Sequence, residues 1–408
     1  MITVSAPKRR SDSTVDGDRL RQYRLKRVID GVRAADCAGC VLFDPINIRY
    51  ATGSRNLAVW TLHNPGRYVF VGADAAVILF EFAGAFHLNE GLDCIDDIRP
   101  AVPWFFFLAG PRVEEKARIW ADEIARLVRT HGYGTARLAL DRCDPPGARR
   151  LEALGIQVAE GQPLMERARA IKSPDEIECL RRSLDVADEA VAKVHQNLRA
   201  GVTETQLWSL LHQVNIEKGG EWIETRLMSS GDRTNPWYQE ASDRPIHDGD
   251  LVGLDTDLIG PGGYLADFSR TFLCGDEPAS AEQRRLYTLA AEQVAYNVSL
   301  LGAGVSFREF SKACWRMPDE FVEQRYMDIV HGVGLCDEFP RVPYREDFTD
   351  WGYDGVFEEN MVVSVESYIG ARGGTEGVKL EQEVLIASAG TELLSHYPLD
   401  GRLLEGAN

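Results

Sequence analysis

The second half of the chain places acidic residues inside strands that are otherwise apolar. Each of four segments has the composition of a buried strand and contains at least one carboxylate: Leu251–Asp257, Gly263–Phe272, Met361–Ile369 and Val378–Ile386. A charged side chain inside an apolar strand is costly to bury unless it is paired or bound to a metal ion. The sequence therefore predicts a sheet on which several acids converge.

These acids, together with one histidine, have the spacing of a two-metal site. The set consists of Asp255, Asp257, Asp267, His331, Glu366 and Glu381. Oxygen ligands with a single imidazole suit Mn, Fe, Co or Zn in a reactive site better than a structural zinc, which prefers thiolates. A salt bridge or a position at a strand end would explain any one of these acids alone. The joint set favours metal binding.

Asp257 changes the charge of the predicted site. Asp255 and Asp257 are two residues apart, so on one strand both side chains would face the same way. With Asp257 included, the five carboxylates carry −5 and two divalent ions carry +4, which leaves −1. We expect an anionic centre of this kind to favour a cationic substrate or a trivalent metal.

The patterns along the chain predict three segments. Residues 1–17 are polar, and we expect them to be disordered. Residues 18–165 alternate helix and strand patterns, which is typical of an α/β domain, whereas residues 166–408 combine long helices with strands and predict a larger α+β domain. A capping signature lies at this boundary, with Ser173 as N-cap, Pro174 at the first helical position and Glu176 at the third.

Composition argues against several classes of partner and location. The 408 residues include 63 acids and 45 bases, a net charge of −18, so neither nucleic acid nor an anionic membrane is an expected partner. The N-terminus lacks the apolar core of a signal peptide, and no stretch approaches the roughly 18 apolar residues of a membrane helix. Eight scattered cysteines suit a reducing cytoplasm, and Cys37-x-x-Cys40 is interpreted as structural.

Six short motifs carry a resemblance to a known family. They are Asn47-Ile48-Arg49-Tyr50-x-Thr52-Gly53, Ala170-Ile171-Lys172-x-Pro174-x-Glu176, Gly263-Tyr264-x-x-Asp267-x-x-Arg270-Thr271, His331-Gly332-x-Gly334, Val365-Glu366 and Lys379-Leu380-Glu381. Together they resemble the creatinase/methionine-aminopeptidase family, and the first two are similar to its prolidase, aminopeptidase P and creatinase branch. The resemblance implies a creatinase-like N-terminal domain, a pita-bread catalytic domain and five metal ligands, which are Asp255, Asp267, His331, Glu366 and Glu381. It also implies a homodimer in which the neighbouring N-terminal domain closes the site.

Two positions depart from the proline-type peptidases of this family. Those enzymes carry one histidine after a Ser-Gly segment and another shortly after the metal-binding histidine, whereas this chain has Trp237 and Asp337 in those regions. The peptidase imidazoles help to hold and protonate a peptide bond, so their replacement argues against peptidase chemistry. His247 lies nearby in a predicted turn and is interpreted as structural.

The departures, with several neighbouring segments, point to one branch. The segments are Trp60-x-x-His63-Asn64-Pro65, Gly219–Leu227, Ser229–Trp237, Asp255–Pro261 and His331–Glu338. They resemble the DddP-type dimethylsulfoniopropionate lyases. That resemblance implies a six-ligand iron-type site that includes Asp257, with Asp337 as the base and Tyr326 nearby. The stretch Glu366–Glu381 is more similar to ordinary prolidases, which leaves the exact substrate open.

We therefore expect a metal-dependent carbon–sulfur lyase. Its substrate would carry a carboxylate, held by the metal pair, and a sulfonium cation, held by an aromatic or anionic pocket. Asp337 would remove the α-proton, and dimethyl sulfide and acrylate would be released. Trp60, His63 and Trp237 are the expected substrate-binding residues, while the run Trp104–Phe107 is interpreted as core or dimer contact.

Two alternatives stay open at this point. One is a Xaa-Pro dipeptidase or creatinase-like hydrolase, which intact peptidase histidines would have favoured. The other is a catalytically silent pita-bread protein that acts as a binding module, whose expected sign is the loss of metal ligands. All the ligands implied by the resemblance are present in the chain.

Overall fold

The computed structural model of the protein describes residues 15–404. The segment expected to be disordered, residues 1–17, lies outside this range except for its last three residues, and Gly17 already belongs to the first helix. Within the described range, no helix has both the length and the apolar composition that crossing a membrane would require.

Twelve α-helices occur in residues 15–404. They are α1 (Gly17–Ala34), α2 (Pro45–Thr52), α3 (Ala58–His63), α4 (Phe106–Ala109), α5 (Val113–His131), α6 (Pro145–Ala153), α7 (Gln162–Ala170), α8 (Pro174–Asn197), α9 (Glu204–Glu217), α10 (Ala281–Leu300), α11 (Phe307–Ala313) and α12 (Phe348–Trp351). The predicted capping signature is confirmed, since Ser173 and Glu176 form a reciprocal capping box at the start of α8.

Within residues 15–160 the strands form one mixed six-stranded sheet. Its strands are β1 (Gly39–Leu42), β2 (Tyr68–Gly72), β3 (Val77–Glu81), β4 (Asp97–Pro100), β5 (Arg137–Leu140) and β6 (Gln157–Glu160). Their order is β4-β3-β2-β1-β5-β6, with antiparallel pairs in the middle and parallel pairs towards both edges. One face of the sheet packs on α5 through a core that includes Trp104 and Trp120.

The remaining strands form three antiparallel sheets. They are β7 (Trp222–Ile223), β8 (Met228–Ser230), β9 (Leu251–Asp255), β10 (Leu258–Ile259), β11 (Leu265–Ala266), β12 (Ser269–Leu273), β13 (Val330–Val333), β14 (Asp337–Val342), β15 (Val362–Ile369), β16 (Val378–Ala387) and β17 (Gly390–Leu393). The sheet orders are β11-β10-β7, β12-β9-β8 and β14-β13-β15-β16-β17. Because α10 packs on β15 and β16 while β12 packs against β16, these two long strands are buried on both faces.

Two of the predicted acid-bearing strands are interrupted where an acid occurs. The expected strand Leu251–Asp257 ends as β9 at Asp255, because Asp257 has a left-handed backbone (φ +39°) that breaks the ladder. The expected strand Gly263–Phe272 divides into β11 and β12, and Asp267 lies between them. The Thr256 hydroxyl bridges both breaks, since it donates to Ala266 O at 2.9 Å and accepts from Phe268 N at 3.0 Å.

The helix α2 was not predicted, although its signals are present in the sequence. Asp44 is its N-cap and accepts a hydrogen bond from Ile46 N, and Pro45 occupies the first turn. Gly53 follows the last turn with a left-handed φ of +76°, a conformation that favours glycine. The motif Asn47–Gly53 is therefore a short capped helix.

Candidate metal centre

His331 is the centre of one group of metal-ligating atoms. Its Nε2 lies 3.4 Å from Asp267 Oδ2, 3.4 Å from Glu366 Oε1 and 3.5 Å from Glu381 Oε1. Glu366 and Glu381 are directly opposite each other on the antiparallel pair β15–β16, and His331 is on β13, the other neighbour of β15. The sheet register therefore brings these ligands together.

The spacing of this group fits a shared ion. Four ligand atoms placed about 2.1 Å from one ion at the corners of a tetrahedron are about 3.4 Å apart, which is close to the separations around His331 Nε2. Glu381 Oε1 is also buried without a hydrogen-bond donor. A buried carboxylate oxygen of this kind is costly unless a cation satisfies it.

Three buried carboxylates form a second group. Oxygens of Asp255, Asp267 and Glu381 all lie within 4.8 Å of one another, so Asp267 and Glu381 belong to both groups. Asp257 follows Asp255 after one residue, is buried, and accepts a hydrogen bond from the Thr225 hydroxyl. Five of the six predicted ligands therefore belong to two groups that share Asp267 and Glu381, whereas the role of Asp257 as a ligand stays a prediction.

The carboxylates influence one another strongly. Burial, reinforced by the neighbouring acids, raises the pKa of Asp255 to about 6 and that of Glu366 to about 8, and it raises the pKa of Asp267 well above its ordinary value. Burial also disfavours the charged form of Glu381, but the adjacent Lys379 and His331 outweigh it and leave the Glu381 pKa below its ordinary value. Such a cluster needs cations in order to stay ionised.

Sequence reasoning missed the role of Lys379, which was named only as part of a motif. It lies on β16 two residues before Glu381, so the two side chains share a face. Its Nζ is 2.5 Å from Glu366 Oε2, 3.0 Å from Glu381 Oε2 and 3.3 Å from Asp255 Oδ2. The alternation of Lys379 and Glu381 on a strand that otherwise begins and ends with apolar residues was the signal that could have found it.

Asp337 lies beside the predicted ligand His331 at the tip of the β13–β14 hairpin. Its Oδ1 is 3.5 Å from His331 Nδ1, and with Asp267 and His331 it forms a third group of potential ligand atoms. The side chain is 65% exposed. The surrounding protein atoms nevertheless desolvate the carboxyl enough to raise its pKa above the ordinary value, although His331 opposes the shift.

Glu338 anchors the same hairpin to the segment that precedes α8. Its Oε1 accepts hydrogen bonds from Arg169 Nε and Leu335 N, both at 3.0 Å, and its Oε2 accepts one from Lys172 Nζ at 2.9 Å. A Cβ at Gly334 would lie 2.3 Å from Glu338 Oε2, so a larger residue there would displace this carboxylate from its partners. These buried contacts, which the sequence did not predict, fix the residue next to Asp337.

Aromatic rings form one wall of the site. The ring centroid of Tyr326 is 4.7 Å from Lys379 Nζ, and that of Trp237 is 5.8 Å from it. Tyr238, which sequence reasoning did not single out, stacks on Tyr326 with centroids 5.4 Å apart and is 49% exposed. The structure therefore places the predicted residues Trp237 and Tyr326 beside Lys379, which contacts three of the predicted ligands, and it places Tyr238 on Tyr326.

The other predicted substrate residues lie elsewhere in the chain. The ring contacts of Trp60 are with Phe82 and Phe107, at 5.9 and 6.4 Å, and His63 is exposed at the end of α3. Within the run Trp104–Phe107, Trp104 is a core residue, whereas Phe106 and Phe107 are more than 70% exposed. Neither Trp60 nor His63 contacts the metal ligands of its own chain in these interactions.

His247 lies in a surface turn, as its sequence context predicts. Its side chain is 66% exposed, and its Nδ1 is 3.7 Å from Asp250 Oδ2. It therefore does not replace either of the peptidase histidines.

Comparisons with known proteins agree with this geometry. Residues 178–388 match the model of metallopeptidase family M24. The chain is 39% identical over 394 residues to a protein named dimethylsulfoniopropionate lyase DddP from Roseovarius nubinhibens, and the alignment covers 95% of this chain and 88% of that protein. A protein of the same name from Roseobacter denitrificans is 37% identical over 390 residues, which cover 94% and 87% of the two chains.

The fold is similar to that of solved peptidases. A Xaa-Pro dipeptidase from Bacillus anthracis superposes with a TM-score of 0.75 at 22% sequence identity, covering 93% of this chain and 99% of that one. A likeness at this identity speaks for the fold alone. It confirms the predicted α+β pita-bread architecture with a smaller creatinase-like N-terminal part.

Proposed function

The chain belongs to metallopeptidase family M24. Within that family we propose that it is a metal-dependent lyase that cleaves dimethylsulfoniopropionate to dimethyl sulfide and acrylate. The observation that carries this proposal is Asp337, an acid 3.5 Å from the imidazole of His331, in the region where the peptidases of the family have a histidine. The near full-length similarity to two proteins named as lyases of this substrate supports it.

The two ligand groups would hold a pair of metal ions. Asp267, His331, Glu366 and Glu381 suit one ion, and Asp255, Asp267 and Glu381 suit the other. We propose Asp257 as a further ligand of the second ion. When bound, the metal pair would supply Lewis-acid polarisation of the substrate carboxylate. We propose iron as the native metal, with manganese, cobalt or zinc as alternatives that the same oxygen-rich donor set accepts.

Asp337 is proposed to act as the base. Its carboxylate oxygen takes the proton from the carbon next to the substrate carboxylate, the electron pair of that C–H bond forms the C=C bond of acrylate, and the C–S bond breaks so that dimethyl sulfide leaves with its electron pair. The raised pKa of Asp337 brings its basicity closer to neutral pH, where a general base works best. The reaction needs no water nucleophile, so the missing peptidase histidines are not required.

The aromatic wall is proposed to bind the sulfonium end of the substrate. Cation–π contacts contribute about 0.5–2 kcal/mol each, depending on desolvation. Lys379 already lies close to the rings of Tyr326 and Trp237. The half-exposed Tyr238, which stacks on Tyr326, therefore offers the accessible aromatic surface of this wall.

A direct assay tests this function. Metal-loaded protein incubated with dimethylsulfoniopropionate should release dimethyl sulfide into the headspace and acrylate into solution in equal amounts. The alternative that family membership favours is a Xaa-Pro dipeptidase or creatinase-like hydrolase. Cleavage of an X-Pro dipeptide or of creatine, with no dimethyl sulfide released, would establish the hydrolase instead of the lyase.

Trp60 and His63 are proposed to serve the site of a second copy of the chain. They lie beside an apolar surface whose members are between 47% and 73% exposed: Leu57, Val59, Leu88, Phe106, Phe107 and Leu108. Exposed apolar patches of this kind mark contacts with partners. A homodimer in which the N-terminal part of one chain covers the metal ligands of the other would bury this patch and bring Trp60 to the substrate.

Mixed dimers test the arrangement. Trp60→Ala and Asp337→Ala proteins should each be nearly inactive alone, whereas dimers that contain one copy of each regain activity. In such a dimer one of the two sites combines an intact Trp60 with an intact Asp337. Sedimentation would verify the dimer, and a mixture no more active than the sum of its components would contradict the shared site.

We also propose a domain division and a location. A division into residues 18–165 and 166–408 is supported by one core made only of residues 38–158 and another made only of residues 170–404. A cytoplasmic location is supported by the cysteines, all eight of which are free thiols, including the buried Cys37 and Cys40.

A further inference from the structure

The ammonium of Lys379 is surrounded by groups of the metal centre. It contacts three of the five proposed acid ligands, namely Asp255, Glu366 and Glu381, and lies 2.6 Å from the Ser269 hydroxyl. The Lys379 side chain has no exposed surface. The ammonium also lies 4.7 Å from the Tyr326 ring centroid and 5.8 Å from that of Trp237, and because the side chain is fully buried no solvent screens its charge.

The buried ammonium changes the net formal charge of the proposed metal centre. Five carboxylates and two divalent ions sum to −1, and one ammonium in direct contact with those carboxylates brings the sum to zero. Charges a few ångströms apart in a protein interior interact strongly, because little water separates them. The ammonium thus offsets carboxylate repulsion and also repels an incoming metal ion.

We propose that Lys379 is the charge-compensating residue of the centre, whose tethered cation keeps the carboxylates together before metal binds and limits how tightly divalent ions are then held. This inference rests on the proposed metal-dependent function, since it assumes that the ions bind at these carboxylates. Both effects would apply to both ions, because the ammonium lies beside Glu366 of the first ligand group and Asp255 of the second.

Two neutral variants and two controls isolate the charge. Lys379→Met removes it, and Lys379→Gln removes it while keeping an N–H donor for Glu366 and Ser269. Lys379→Arg keeps the charge. Lys172→Met is the matched control, because Lys172 is also a buried lysine in an ion pair, 2.9 Å from Glu338 Oε2, but it does not contact the proposed acid ligands.

The measurements are thermal unfolding of protein stripped with a chelator and equilibrium binding of Mn²⁺, which avoids the air oxidation of iron. Both neutral variants should melt below wild type when stripped and bind Mn²⁺ about tenfold or more tightly. Lys379→Arg should stay near wild type in both readouts. Lys172→Met should melt lower and bind Mn²⁺ as wild type does.

The possible outcomes separate the two proposals. Neutral variants that fold only in the presence of Mn²⁺ would be the extreme form of the expected result. Neutral variants that bind Mn²⁺ no more tightly than wild type, or that fail to fold even with Mn²⁺, would overturn the charge-compensating role. Wild-type protein that binds no divalent metal would instead refute the metal centre itself, whatever Lys379 does.

Discussion

Replacing Asp337 with alanine should lower kcat for dimethylsulfoniopropionate cleavage by about 10²–10⁴-fold, the usual contribution of a general base. Metal content should stay near that of wild type, because the two ligand groups remain complete without Asp337. The measurements are headspace dimethyl sulfide under saturating substrate and elemental analysis of the purified variant. A matched control is Asp354→Ala, which removes an aspartate whose side chain is 88% exposed and forms a surface ion pair with Arg308.

Metal content is the decisive readout for this variant. Asp337 lies close enough to Asp267 and His331 to serve as a ligand itself. An Asp337→Ala protein that loses its metal would therefore identify Asp337 as a ligand rather than as the base. Retained metal together with full activity would remove Asp337 from the chemistry altogether.

Stripping the metal should abolish activity and lower the melting temperature. An ion that binds only the native state stabilises it by about 2.7 kcal/mol at a free concentration one hundred times the Kd. Without the ions, the buried carboxylates around Glu381 are compensated only by Lys379 and His331. Calorimetry with and without chelator measures the change.

Adding back single metals identifies the native one. Fe²⁺ is expected to restore the most activity, and Mn²⁺, Co²⁺ or Zn²⁺ less, while Ca²⁺ should restore none because it does not favour an imidazole ligand. His331→Ala is the control variant, since excess metal should not return its melting temperature to the loaded wild-type value. Full activity in protein shown to contain no metal would contradict the proposed centre.

The acid ligands were predictable because they break an apolar pattern. Glu366 and Glu381 are the central charges of two long strands that are buried on both faces, and such strands have near-continuous apolar sequences. The same pattern located Asp255, which is the last residue of β9. A carboxylate in a buried strand requires a cation or a hydrogen-bond donor beside it, and this requirement can be inferred from the sequence alone.

The rest of the site depends on contacts between distant segments. Lys379 appeared to be one more charge in a motif, because only the fold shows that its ammonium meets Asp255 from another sheet. The stacking of Tyr238 on Tyr326 joins segments 88 residues apart. The left-handed backbone of Asp257 could not be predicted, because neither a glycine nor a turn motif occupies that position in the sequence.

The contacts of Arg169 and Lys172 with Glu338 hold the β13–β14 hairpin in position. The turn of this hairpin presents Asp337, and the two basic residues belong to the segment that precedes α8. A displacement of about 1 Å at a reacting group can cost about 10²-fold in rate. Arg169 and Lys172 therefore help to position the proposed base through Glu338, although neither residue is a proposed substrate contact.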